Sequence, residues 1–312
     1  MNKVWFWPGK NKVEKKFIAY NGNLTEPALE VIIKELIDFI KTEESLMVTS
    51  VKIGCWHGTD RYSYDYLISP KEIVSFLCEN KKSLPMLKDI CMGDLSGDTD
   101  YFIKDVIHCD YTPLFKAYPE LETFITVGSA DLILKPIKSK KLKKLKLTGT
   151  FIDQRIIKNI AKSSLPELEH LELDLGTWSS QSQGGIQPLR EVGIEDIEDL
   201  MTKDLFPKLT RLGFRGSDIS NEIMKSLKDA SIINQLEVID LSLGTLTEKG
   251  VNEFIKSDLL KGLKQLNIEK NYISAEAVKL IDNCSDTTVL TRGQNEIFED
   301  EDEDNLMPML CY

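Results

Sequence analysis

Basic residues are in deficit: 39 Lys and Arg stand against 50 Asp and Glu, a formal net charge of −11. A protein that coats nucleic acid needs a basic surface to displace counterions, so no nucleic-acid partner is expected. Long apolar runs are missing as well. None approaches the roughly 18 residues of a membrane span. The start, Met1-Asn2-Lys3-Val4-Trp5-Phe6-Trp7-Pro8, breaks too early for a signal peptide's apolar region. No membrane association is therefore expected, and the chain is assigned to the cytoplasm. The six cysteines (Cys55, Cys78, Cys91, Cys109, Cys284 and Cys311) show no CxxC and no paired spacing. That argues against a disulfide framework and against a zinc site. Only three histidines exist, His57, His108 and His170, with no pair at metal-ligand spacing. HExxH, GxSxG, Walker A and GxGxxG are all absent, so no catalytic residue, metal ligand or cofactor is assigned.

What the chain does have is a repeat. Leu263-x-x-Leu266-x-Ile268-x-x-Asn271-x-Ile273 matches the leucine-rich-repeat template LxxLxLxxNxL at every fixed position. One unit earlier lie Leu236, Ile239, Leu241 and Leu246, and before them Leu209, Leu212, Phe214 and Ile219. These three units are spaced by 27 residues, twice in succession. Further copies start at Leu168 and Leu142, with weaker ones at Leu121, Leu87 and Val48. That makes about eight repeats.

The segments between the strands carry helix signals. Ser220, Thr247 and Ser274 each follow an apolar residue and offer a capping hydroxyl, with Met224, Val251 and Val278 placed for a hydrophobic staple. Ser69-Pro70-Lys71-Glu72 reads as a capping box with proline at the first helical position. Each unit is then a strand and a returning helix that cannot bury its apolar side alone. Stacking gives an α/β leucine-rich-repeat solenoid, a horseshoe with a parallel sheet on the concave face and helices on the convex face. Residues 1–45 form an N-terminal cap, a strand-like Val4 to Tyr20 followed by an amphipathic helix from Leu29 to Ile40. Residues 46–292 are the solenoid, and 293–312 an acidic tail whose Glu296 and 299–304 carry seven acids and no base. Such a block of like charge reads as a solvated end.

A period of 27 with a full helix resembles the ribonuclease-inhibitor class of repeats. Beyond that, the chain resembles a family of uncharacterised bacterial cytoplasmic leucine-rich-repeat proteins, some of whose relatives are joined to WGR domains. The residues that carry this are Gly54-Cys55-Trp56, Tyr118-Pro119-Glu120-Leu121-Glu122, Leu165-Pro166-Glu167-Leu168-Glu169-His170-Leu171-Glu172-Leu173 and Asp240-Leu241-Ser242-Leu243-Gly244-Thr245-Leu246. The resemblance spans roughly residues 48 to 290 and brings no activity or catalytic residue with it.

Side chains alternate along a strand, so the residues between the leucines face the concave side. They are Lys144, Lys146 and Thr148; His170, Glu172 and Asp174; Arg211, Gly213 and Arg215; Val238, Asp240 and Ser242; and Gln265, Asn267 and Glu269. Their signs alternate from repeat to repeat, so Lys146–Glu172 and Arg215–Asp240 are expected to pair across neighbouring strands. The same ladders make a polar recognition surface for a protein partner. Repeats also lengthen in places. Leu168 to Leu209 is 41 residues, 14 beyond the unit, around Trp178 to Gly185; Leu87 to Leu121 is 34, seven beyond it. A third insertion follows Trp56. Insertions on one edge often mark a binding face, with Trp178 a candidate anchor, although Trp178 and Trp56 both fall in a core register. The resulting expectation is a non-enzymatic protein-binding protein, with scaffolding or inhibition of a neighbouring gene's product as variants. A metal-assisted enzyme using carboxylates between Asp94 and Asp110 with His57 or His108 is the alternative, weakened by Thr99 where a calcium loop demands glycine.

Overall fold

The computed structural model describes residues 13–17, 28–56, 68–95, 103, 106–128, 130–150, 152–176, 192–255, 262–282, 287–296 and 306–308. Ten strands form one all-parallel sheet in chain order: β1 (Glu14–Phe17), β2 (Ser50–Ile53), β3 (Asp89–Met92), β4 (Thr123–Val127), β5 (Lys144–Thr148), β6 (His170–Asp174), β7 (Arg211–Arg215), β8 (Val238–Asp240), β9 (Gln265–Asn267) and β10 (Thr288–Leu290). Each strand pairs only with its chain neighbours, the arrangement of a repeat α/β solenoid. Eight of the ten follow the repeat register. β1 and β10 extend the sheet at either end.

Eight helices are seen among the described residues: α1 (Ala28–Phe39), α2 (Lys71–Glu79), α3 (Thr112–Ala117), α4 (Gln154–Ala161), α5 (Ile194–Ile197), α6 (Ser220–Asp229), α7 (Glu248–Ile255) and α8 (Ala275–Asp282). The core lies between them and the sheet. Its central row runs Val51, Ile90, Phe124, Leu145, Leu171, Leu212, Ile239 and Leu266, each at most 2% exposed. Among the described residues no helix is long and apolar enough to cross a membrane.

A short local device starts many strands. In Leu84-Pro85, Tyr118-Pro119, Leu165-Pro166 and Phe206-Pro207, a buried residue precedes proline. Its carbonyl accepts from the amide three residues on, as Leu121 N–H to Tyr118 O and Leu209 N–H to Phe206 O, both 3.1 Å. Proline presets the φ of the second turn position, so the chain enters the strand in fixed register. At the far end of the sheet Asn271, fully buried, closes the loop after β9. Its Oδ1 accepts from Leu246 N–H (2.9 Å) and its Nδ2 donates to Leu241 O (2.9 Å) and Ile268 O (3.1 Å). Gln294 does the same one unit on, donating to Ile268 O and accepting from Ile273 N–H. The ladder thus continues through Asn295, whose N–H reaches Asn271 O, and Tyr272 Oη donates to Met307 O. Residues 297–305, which hold the acids 299–304, lie outside the described residues.

The helix starts differ from expectation. Ser274 does cap α8, accepting from Ala277 N–H at 3.2 Å. Ser220 instead lies inside α6, buried, and its hydroxyl donates to Ser217 O (2.7 Å) while accepting from Thr245 N–H (3.2 Å). It is spent on joining two repeats. The Ser69 box does not form, because α2 begins after Pro70 and Ser69 falls one position outside it. The largest departure is between β4 and β5. Only 21 residues separate Leu121 from Leu142, too few for a strand, two connections and a helix. An extended run bridges the gap, with Ile107↔Ala130, Asp110↔Ile133 and Lys138↔Ser164 in place of helix packing.

Candidate functional site

The open face of the sheet over β5–β9 carries the anticipated polar residues, and most form one network. Glu172 is its hub. Its Oε1 contacts Lys146 Nζ at 2.5 Å and Arg215 Nη1 at 2.7 Å, and its Oε2 lies 3.0 Å from His170 Nε2. Burial alone would raise this carboxyl. The hydrogen bond from His170 and the charges of Lys146 and Arg215 outweigh it and hold Glu172 well below the usual carboxylate range. His170 is pulled below its ordinary value by burial, with Lys144 and Arg211 adding to the effect against its bond to Glu172. A neutral imidazole protonated on Nε2 satisfies Glu172. Arg215 is half-buried, and burial would lower it, yet Asp174, Glu172 and Asp240 keep it firmly charged.

The Lys146–Glu172 pair forms as the alternating signs predict, but the Arg215–Asp240 pair is loose, 4.0 Å at closest. Arg215 turns toward β6 instead. The reason is Gly213, which sits between Glu172 and Asp240 in the same row. A Cβ there would lie 2.9 Å from Glu172 Cγ, so the glycine leaves the space over which Glu172 leans to Arg215. Asp240 bonds instead to its own loop and to β9, accepting from Ser242 Oγ (2.6 Å) and from Asn267 Nδ2 (2.9 Å). Arg215 Nε donates to Ser242 Oγ at 3.2 Å, so β6 to β9 are joined through one chain of contacts. At its end Glu269 accepts from Arg292 Nε at 3.0 Å. Lys144 and Arg211 flank His170 in register, with Arg211 exposed. Trp178 lies outside the described residues.

Asp174 is the odd member. It is 1% exposed, and both carboxylate oxygens are buried without a hydrogen-bond partner; Arg215 Nη1 stands 3.4 Å from Oδ1. Burial pushes its carboxyl up to about 6 from an ordinary 3.8, despite the opposing Arg215 charge. The folded protein therefore binds this proton more tightly than the unfolded chain. Stability should fall as pH rises from about 4 to about 6, the loss being on the order of 2–3 kcal/mol and complete above that window. Asp174→Asn is uncharged throughout, so it should melt above the natural protein at pH 8 and level with it near pH 4. A lower melting point at pH 8 would show the carboxylate to be a net stabiliser.

The residues proposed for a metal take other partners. Asp94 pairs with Lys16 at 3.1 Å. Asp110 accepts from Thr112 N–H and pairs with Lys135 at 2.9 Å. His108 is fully buried beside Trp56, its Nδ1 2.9 Å from Tyr111 Oη, and burial drives its basicity down to about 3. Gly128 admits it, since a Cβ there would lie 2.4 Å from His108 Nε2. Cys91 and Cys109 are free thiols pushed up to about 12 by burial, the opposite of nucleophilic activation. His57 lies outside the described residues, and among the described residues no group of three or more His, Cys, Asp or Glu is placed to hold a metal ion.

Sequence reasoning missed the cavity at the carboxyl ends of β5 and β6, beside α4, where Asp174 and Thr148 meet the helix-less connection. The signal was there in the short interval from Leu121 to Leu142. No protein-family model and no curated protein matches the chain. Among solved structures it is similar in fold to a crystal structure of a protein from Bacteroides fragilis, with a TM-score of 0.77 at 21% identity, covering 96% of this chain and 77% of that one.

Proposed function

We propose that the chain is a cytoplasmic, non-enzymatic leucine-rich-repeat protein, a ribonuclease-inhibitor-like horseshoe that recognises a protein partner through its concave sheet and edge insertions. The observation that supports this best is the connected charge network over β5–β9. It holds Lys146, Glu172, Arg215, Asp240 and Asn267 in place while Lys144 and Arg211 remain accessible around it. Side chains ordered before binding lose little entropy on docking. Charges of both signs on strands ~4.8 Å apart suit a partner of mixed surface charge and favour register over raw affinity. Inhibition of, or scaffolding for, a neighbouring gene's product is the narrower form of this reading.

The test is affinity capture from the native host's cytoplasm with three baits: the natural chain, Lys144→Glu with Arg211→Glu, and Lys225→Glu on the exposed face of α6. A protein retained by the first and third and reduced about tenfold or more by the second is the expected result. Its retention should weaken with added salt. Equal capture by all three baits would remove the sheet face from consideration.

A further inference from the structure

The extended run that replaces a helix between β4 and β5 leads into a stretch charged against the rest of the molecule. From Lys135 to Lys146 stand seven lysines and no acid, in a chain of net charge −11. Three are spent on carboxylates from other segments: Lys135 on Asp110, Lys143 on Glu122 and Lys146 on Glu172. Lys138, Lys140 and Lys141 are exposed and form no ion pair among the described residues; the same holds for Lys162, which closes α4. The backbone beneath them is fixed. Ile137 N–H donates to Ser163 Oγ at 2.9 Å, Lys138 bridges to Ser164, and buried Ser139 accepts from Leu142 N–H at 3.0 Å. With Ser139 turned in between them, Lys138 and Lys140 leave the same side of the run. Their Cα atoms are then about 6.7 Å apart, two residues of extended chain.

Lysines held at the period of a strand complement an extended chain bearing carboxylates at that same period. Phosphate polymers fit less well. Arginine, whose planar fork suits phosphate, is absent from the run, and Arg155 beside it is closed on Asp153. Single-stranded nucleic acid also draws on aromatic faces for stacking, and Tyr111, Phe115, Tyr118 and Phe124 of the adjoining unit are all buried. A membrane surface calls for an apolar anchor, and none of the exposed large apolar side chains falls in the run. Exposed acids stand on both neighbouring repeats, Glu120 before β4 and Glu169 before β6. A long polyanion crossing the strands would meet them, whereas a short one laid along the run would not. We propose that this lysine run docks a short, extended acidic segment of a partner protein, its carboxylates on Lys138, Lys140 and Lys141 with Lys162 alongside. The surface excludes Lys144 and Arg211 on the open sheet face, so the proposal does not rest on the protein-recognition reading of that face.

The experiment is fluorescence anisotropy of the full chain with labelled decaglutamate and labelled decathymidylate, at pH 7.5 and about 50 mM salt. Co-sedimentation with vesicles of phosphatidylcholine and phosphatidylglycerol accompanies it. Decaglutamate is expected to bind about tenfold or more tightly than the oligonucleotide, and the vesicles to leave the protein in solution. Lys138→Glu, Lys140→Glu and Lys141→Glu together should weaken decaglutamate about tenfold or more. Lys203→Glu, Lys225→Glu and Lys249→Glu change the net charge equally at exposed lysines elsewhere, and should weaken it less than about threefold. If the first triple variant fails to fold, Gln at the same three positions replaces it, with a loss of about fivefold or more expected. The proposal is overturned if decaglutamate does not bind, if both sets of substitutions weaken it equally, or if the oligonucleotide or vesicles bind as tightly. Failed capture through Lys144 and Arg211 leaves it untouched.

Discussion

Glu172→Ala should cost the fold about 3–5 kcal/mol, because breaking a buried ion pair strands the remaining charge in a poor solvent. Here two half-buried cations lose a partner at once, Lys146 and Arg215, although Arg215 keeps Asp174 at 3.4 Å, and His170 loses the acceptor of its Nε2 proton. Urea unfolding at neutral pH measures the loss as a lowered midpoint at constant slope. Two companions separate charge from packing. Glu172→Gln keeps the shape but removes the charge, and should fall between the natural chain and the alanine variant. Glu172→Leu with Arg215→Met removes both partners and should recover much of the loss, since apolar replacement of a buried pair is often neutral or better. If Glu172→Ala unfolds at the same urea concentration as the natural protein, the hub assignment is wrong. Acid acts in the same direction. A carboxyl held below its unfolded value of 4.5 contributes stability above that value and loses it as pH falls through the depressed one.

Trp56→Ala is expected to be comparably damaging, about 3–5 kcal/mol for a large aromatic truncated in a core. Trp56 is fully buried, its ring packs near His108, and its Nε1 donates to Ile107 O at 3.2 Å. That bond spans two repeats, because Ile107 belongs to the stretch bridged to Ala130. Truncation therefore opens a void and orphans a buried carbonyl together. Trp56→Phe restores most of the volume without the donor, and its smaller loss measures the hydrogen bond, about 1–3 kcal/mol. Thermal unfolding with both variants gives the comparison. A Trp56→Ala protein that melts like the natural one would mean the indole is dispensable to the core.

The strand register was legible because leucine spacing reports burial directly, and Leu209, Leu236 and Leu263 hold it without interruption. β1 was less legible. Lys15 stands opposite Val51 in the row that elsewhere is apolar, so periodicity does not distinguish it from a cap. β10 carries Thr288, Val289 and Leu290, with Gln294 standing in for asparagine, and a longer amide can close the same loop. The alternation of charge across β5–β8 was readable, but the choice of partners was not. It depends on the empty space over Gly213, which is a property of three strands together. The exposure of Asp174 was unreadable for a related reason. Its position in an alternating strand indicates a face, while its burial comes from neighbours distant in sequence.

The helix-less joint has a further meaning for how the chain holds together. Helices pack in succession from α1 to α3 and again from α4 to α8, whereas the junction between these runs is carried by the sheet and a few isolated bridges. In a linear array, stability is a sum over units and the couplings between neighbours. A junction served by fewer layers is a boundary between cooperative blocks. The N-terminal strands and the charged C-terminal strands can then open on separate schedules, as foldons do.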